Sequence, residues 1–155
     1  MKQPGFLFIL LLCLYGCENF PKDPEKTLTK VKNGTLVVGY SENPPWVVKT
    51  DSIPSGIEPE LIQAFAKTLN AQVDWRNDTE QNLVEDLEKR KVHLLIAGIT
   101  DDSPWKNKAG FTRPFAKEDK KKHVMAAING ENALIVHLEK FLYKQESQIQ
   151  ARMQP

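Results

Sequence analysis

The stretch Val92-His93-Leu94-Leu95-Ile96-Ala97 is a nearly continuous apolar run, and its reading decides the fold. A strand with one face in water alternates apolar and polar residues. An unbroken run of this length is covered on both faces, the pattern of a central parallel strand. Upstream, residues 71–75 alternate as a strand, and Asp78-Thr79-Glu80-Gln81 offers a capping-box start to a helix carrying Leu83, Val84 and Leu87. Further back, Leu61, Ile62, Phe65, Ala66 and Leu69 fall on one helical stripe, with Glu60, Gln63, Lys67 and Thr68 opposite. Gly56 and Pro59 supply that helix's start and Asn70 its stop. Leu36-Val37-Val38-Gly39-Tyr40, bounded by Asn33-Gly34 and Asn43-Pro44-Pro45, reads as a buried strand. Strand, helix, strand, helix, strand at these spacings makes two right-handed crossovers and a parallel sheet, so the class is α/β. Ligands of open α/β sheets gather beyond the carboxyl ends of the strands, which nominates the loops 41–46, 76–78 and 98–105.

Downstream the pattern predicts a turn-like segment at 111–115, a charged solvated linker at 117–122 and a strand over 123–128. Asn129-Gly130 then turns into a final helix with Leu134, Leu138, Phe141 and Leu142 as its buried stripe. Residues 144–155 read as a polar tail that frays.

Composition bounds the alternatives. The chain has 155 residues, 21 Lys+Arg against 20 Asp+Glu, and a net charge of +1. That is one ordinary domain, and the interspersed charge argues against nucleic acid as a partner. With 26% charged and 41% hydrophobic residues, wholesale disorder and a multi-span membrane protein are excluded. Two cysteines cannot build a disulfide framework. The three histidines, His93, His123 and His137, show no metal-ligand spacing, no nucleophile-elbow context is present, and the reading expects no enzyme, cofactor or metal.

The N-terminus reads as an address. Lys2 is followed by an apolar run over 6–15, about ten residues, too short to span a bilayer as a helix but within the range of a secretory signal. Leu14-Tyr15-Gly16-Cys17 resembles a bacterial lipobox, although Tyr15 is atypical at its position. The resemblance implies a signal peptide over 1–16, lipid on Cys17, and attachment to a membrane facing the periplasm or the exterior. Two acyl chains suffice for stable anchoring where one is marginal. Residues 17–32, with Pro21 and Pro24, read as a tether ending in a short helical turn.

Four segments in order carry a further resemblance. They are Gly39-Tyr40-Ser41-Glu42-Asn43-Pro44-Pro45-Trp46, Gly56-Ile57-Glu58-Pro59-Glu60-Leu61, Leu94-Leu95-Ile96-Ala97-Gly98-Ile99-Thr100 and Phe111-Thr112-Arg113-Pro114-Phe115. The series resembles family 3 extracellular solute-binding proteins, the receptors of amino-acid-type ABC importers, and the likeness resumes from Ala126 through Leu142. It implies a single lobe of the type II periplasmic-binding-protein fold over 33–143, a mostly parallel sheet flanked by helices. In that family a second lobe of roughly a hundred residues, about one small domain, lies between the segments matching 111–115 and 123–128, where this chain has only 116–122. The family's carboxylate-binding arginine falls, by ungapped count, on Trp105. Its common Asp before the third strand is His93, and a Gly of the preceding turn is Arg90.

The residues nominated for ligand contact are Ser41, Trp46, Gly98, Thr100, Asp101 and Trp105. Each has two readings. Trp46 and Trp105 either stack on a planar ligand or plug the end of the sheet. Thr100 and Asp101, with Asp102, either receive an ammonium or hydroxyl group or form a turn. The function implied is a non-enzymatic, lipid-anchored receptor for a small-molecule solute, acting with an ABC permease. The other reading is an envelope module that binds another protein through an exposed Trp46 and Trp105.

Overall fold

The computed structural model describes residues 23–153; the expected signal peptide, Cys17 and the first part of the tether lie outside them. Chain order runs α1 (Thr27–Val31), β1 (Thr35–Tyr40), α2 (Ile57–Thr68), β2 (Gln72–Asn77), α3 (Glu80–Glu88), β3 (Leu94–Ile96), a 3-10 turn (Pro104–Asn107), β4 (Gly110–Phe111), β5 (Ala116–Glu118), β6 (Lys121–His123), β7 (Ala126–Ala127) and α4 (Asn132–Met153). Five strands form one sheet in the order β2-β1-β3-β7-β4, and β5 and β6 form a separate hairpin. Both pairings of β1, with β2 and with β3, are parallel, while β7 runs antiparallel to β3 and β4. The sheet is therefore mixed, with one reversed strand among four that share a direction.

Alternation along the strands sorts the core onto two faces. Leu36, Val38, Leu94 and Ile96 join the layer of α2 and α4, where Ile62, Phe65 and Leu138 are fully buried. Leu95 and Ala97 join Leu83, Val84 and Leu87 of α3 on the other face. The whole predicted stripe of α2 is buried, each large side chain contributing roughly 1.5–3 kcal/mol. Helix α2 stops where expected, at Asn70 in the left-handed conformation with φ 51°.

Several expectations need correction. The cap of α3 sits one residue later than read: Thr79 is the N-cap and accepts from the Asn82 amide, while Asp78 buttresses it by accepting from the Thr79 N–H at 2.7 Å. The strand expected over 123–128 is divided, because the chain leaves its pairing with β5 at His123 and joins the main sheet only at Ala126. The run 117–122 is not a solvated linker but a hairpin with Lys117 opposite Lys122 and Glu118 opposite Lys121. The tail beyond 144 is helical to Met153, because Ile149 extends the stripe of Leu138 and Leu142 and is 1% exposed. From residue 23 the expected tether is packed, with Thr27 and Val31 buried.

Candidate functional site

The carboxyl ends of β1 and β3 meet beneath two loops. After β1, the Ser41 N–H donates to the Ile96 carbonyl, and the Asn43 side-chain amide donates to the Ala97 carbonyl at 2.8 Å. Reciprocal backbone bonds between Asn43 and Val47 close the intervening loop. Two glycines let it lie close to the sheet. Gly56 has φ 111°, and a Cβ there would fall 2.7 Å from the Trp46 carbonyl oxygen. Gly98 has φ 61°, and its Cβ would fall 2.6 Å from Asn43 Nδ2 and 2.9 Å from Trp46 Cδ1. Both positions combine a left-handed backbone with no room for a side chain.

Trp46 is packed inward. It is 3% exposed, stacks on the His123 ring at 3.7 Å and meets Phe115 edge-on at 6.0 Å. The exposed Trp46 of the protein-binding reading is thereby corrected: the ring fills the space between the 41–56 loop and the base of the hairpin, where burial of its large surface outweighs exposure. Thr100 and His123 form a β-bridge, the Asp101 N–H donates to the Lys122 carbonyl, and the Asp101 carboxylate lies 3.8 Å from Lys122 Nζ. The Thr100 hydroxyl donates to Asp102, lowering that carboxyl's pKa. The segment thus forms a turn that also staples the hairpin to the sheet.

The structure brings Ser41, Trp46, Gly98, Thr100 and Asp101 to one end of the sheet. Trp105 lies at the same end of the sheet but on its α3 side. Half-buried, it packs, as Val37 and Phe111 do, against the core on the α3 side, and its indole N–H donates to Glu80 at 3.1 Å. A cleft of about 270 Å³ opens beside Trp46, lined by Pro45, Ile57, Glu60, Glu118, Arg152 and Met153, with Arg152 paired to Glu60.

Two titratable side chains here were not nominated from the sequence. Glu58 is wholly buried, its Oε2 accepts the Gly98 N–H at 2.9 Å, and Oε1 has no partner among the described residues. Burial pushes its pKa up to about 8, so the carboxyl is protonated at neutral pH. The signal was present, since Glu58 falls on the buried stripe of α2, three and four residues before Leu61 and Ile62. His123 is 2% exposed, and neither ring nitrogen has a hydrogen-bond partner among the described residues. Burial lowers its pKa, opposed by Glu118 with a carboxylate oxygen 3.7 Å away. The protonated acid and the imidazole, held toward its neutral form, sit beneath a rim that carries Glu118 and the Glu60–Arg152 pair. Among the described residues no cluster of three His, Cys, Asp or Glu side chains is placed to hold a metal ion.

The sequence profile of the bacterial extracellular solute-binding proteins, family 3, matches residues 36–153. The chain belongs to this family. Its extracellular character implies a periplasmic or envelope location. Membrane-bound lytic murein transglycosylase F of Thiobacillus denitrificans is 31% identical over 93 residues, covering 59% of this chain and 18% of that protein. A probable histidine-binding protein of Campylobacter jejuni is 24% identical over 105 residues, covering 67% of this chain and 41% of that one. The chain thus spans less than half the length of these relatives. Among solved structures, the arginine-bound form of domain 1 from TmArgBP, the ArgBP from T. maritima, superposes with a TM-score of 0.68 at 20% identity, covering 75% of this chain and 97% of that one. The L-cystine solute receptor of Neisseria gonorrhoeae, unliganded and open, gives 0.65 at 10% identity, covering 79% and 92%. These likenesses establish the fold of a solute-binding lobe. No helix among the described residues is long and apolar enough to cross a membrane.

Proposed function

We propose that the chain is a non-enzymatic, lipid-anchored, single-lobe receptor over 33–143 that takes small polar solutes on its strand-end loops, in the service of an ABC importer. Binding is weak unless a partner supplies the opposing wall. The observation that carries this reading is the hairpin Ala116–His123. It turns back through a two-residue loop, Asp119-Lys120, at the point where the family resemblance puts a second lobe. The lobe described here therefore contributes one side of a cleft. The arginine-bound single domain of TmArgBP supports the idea that one lobe can hold a solute. Half the usual contacts place the dissociation constant on the order of millimolar, about −4 kcal/mol.

Calorimetry and thermal-shift measurements with amino acids, polyamines and small organic acids test the reading. One chemical class should stabilise the protein at millimolar concentration, and native envelope extract should tighten that binding at least tenfold. No stabilisation by any class, with or without extract, removes solute binding. For the anchor, Cys17→Ala should release the protein to the soluble fraction; unchanged membrane retention refutes it.

Trp105 favours a second reading, an envelope protein-interaction module. The residue at the arginine position has its one hydrogen-bond donor engaged by Glu80, so no carboxylate clamp stands there. Cross-linking in native membranes separates the two, because this module captures one defined partner without added solute.

A further inference from the structure

Glu131, wholly buried at the start of α4, grips the segment that leads toward the N-terminus. Its Oε1 accepts the Glu25 N–H and Arg90 Nη1, each at 3.1 Å, and its Oε2 accepts the Thr27 N–H at 3.3 Å. Arg90 takes φ 58° as the residue that closes α3, its N–H donating to the Leu87 carbonyl. Helix α1 adds apolar contact, with Val31 buried and Leu28 packed against the core.

Strand register places this clasp at one end of the molecule. β3 begins at Leu94, opposite Ala127, the last residue of β7, so α4 starts at the underside, where the strands begin. Helix α4 then climbs to the strand-end face, where Arg152 reaches Glu60 and Met153 lines the cleft with Pro45 and Trp46. Its 22 residues correspond to about 33 Å at 1.5 Å per residue, an upper limit on the separation between underside and strand-end face. Cys17, in contrast, is only six residues before Asp23, a leash of about 20 Å at full extension.

Resting on the lipid-anchor reading above, we propose that the Glu131 clasp orients the anchored domain with its underside toward the bilayer and its strand-end face away from it. Inverting the domain would lift the clasp from the membrane by the height of the domain, between about 20 Å for the six residues of β1 and about 33 Å for α4, at or past the end of a fully extended leash. The candidate site therefore meets solute or partner from the aqueous side, and the surface it presents to the anchoring bilayer is formed by α1, the 69–72 turn and the 89–93 turn.

The test uses the full-length lipidated protein in vesicles of phosphatidylethanolamine and phosphatidylglycerol that carry an acceptor dye on a headgroup. A donor is attached at Gln72→Cys on the underside or at Lys120→Cys on the hairpin tip. Energy transfer to the membrane should be at least threefold greater from position 72. A third protein with a twenty-residue Gly-Ser insertion between Asn19 and Phe20 should bring the ratio close to one. Equal transfer from both positions in floating vesicles overturns the orientation while leaving the anchor intact. A ratio unchanged by the insertion overturns the leash as its cause. Protein that fails to float with the vesicles removes the anchor reading, and this inference with it.

Discussion

Glu131 on the underside and Glu58 at the strand ends are both shielded from solvent, yet they settle in opposite charge states. Burial works to raise both pKa values. At Glu131 it is outweighed by hydrogen bonds from Asp23, Glu25 and Thr27, and the carboxyl falls to about 2. At Glu58, burial is opposed mainly by the Gly98 N–H, and the carboxyl rises to about 8. The number of donors, rather than depth, decides whether a buried acid is charged. One end of the molecule holds a charge in a hydrogen-bonded network, and the other holds two buried titratable groups, Glu58 and His123, with unpartnered polar atoms.

The strongest way to break this comparison is Glu131→Ala. It leaves the Glu25 N–H without its acceptor, leaves the Thr27 N–H with Asp23 alone and frees the half-exposed Arg90 guanidinium, so a loss of about 3 kcal/mol is expected, read by urea denaturation. A loss near that of a surface substitution would mean that the clasp is not a network. Next comes the pH profile of Glu58. Its folded pKa of about 8 lies above the ordinary value of 4.5, so its contribution to stability is fully present below pH 4.5 and is lost as pH rises through 8. Linkage gives about 3 kcal/mol of decline between pH 5.5 and 8. Glu58→Gln should flatten that slope, and a variant that keeps it shows that another group titrates.

A smaller effect with the same sign is expected at Asp23, raised to about 6 by burial and by its contact with Glu131. Its contribution is present below pH 3.8 and is lost as pH rises through 6, so Asp23→Asn should gain stability over the wild type above pH 7 in a thermal melt. His93 titrates with the opposite sign. Its Nδ1 accepts the Val37 N–H at 3.1 Å, and burial lowers its pKa. That stabilisation is present above pH 6.5 and is lost as pH falls through the lower folded value. His93→Phe should cost about 1–2 kcal/mol at pH 7, the usual loss for a donor left unpaired. The exposed Lys122 and Asp101 pair, 3.8 Å apart, marks the low end, and Lys122→Ala should cost less than about 0.5 kcal/mol.

Legibility in the sequence followed the range of the interactions. The α2 stripe, the Asn70 stop and the three parallel strands depend on local periodicity, and their side chains announce them. The hairpin at 116–123 was not legible, because its charged residues match a solvated linker as well as a pair of strands, and only the anchoring of His123 and Phe115 under Trp46 distinguishes them. The final helix was read short because Ile149 stands alone among polar residues. Its burial depends on α4 running the full height of the domain. Of the candidate ligand residues, chain order groups those after β1 and β3 at one end of the sheet, whereas the turn of Trp105 onto the α3 side is set by its contacts with Glu80 and the core there.

The order of strands and helices through β3, the α/β class and the loops beyond the strand ends were determined by the sequence alone, since each rests on periodicity within a dozen residues or on the handedness of crossover connections. Which side chains are charged was decided by the tertiary structure. Glu58 and Glu131 are the same residue type, each at the start of a helix, and nothing local separates them. Their states depend on donors from Gly98 in one case and from Glu25 and Thr27 in the other, groups brought within hydrogen-bond distance across 40 to 106 positions of chain.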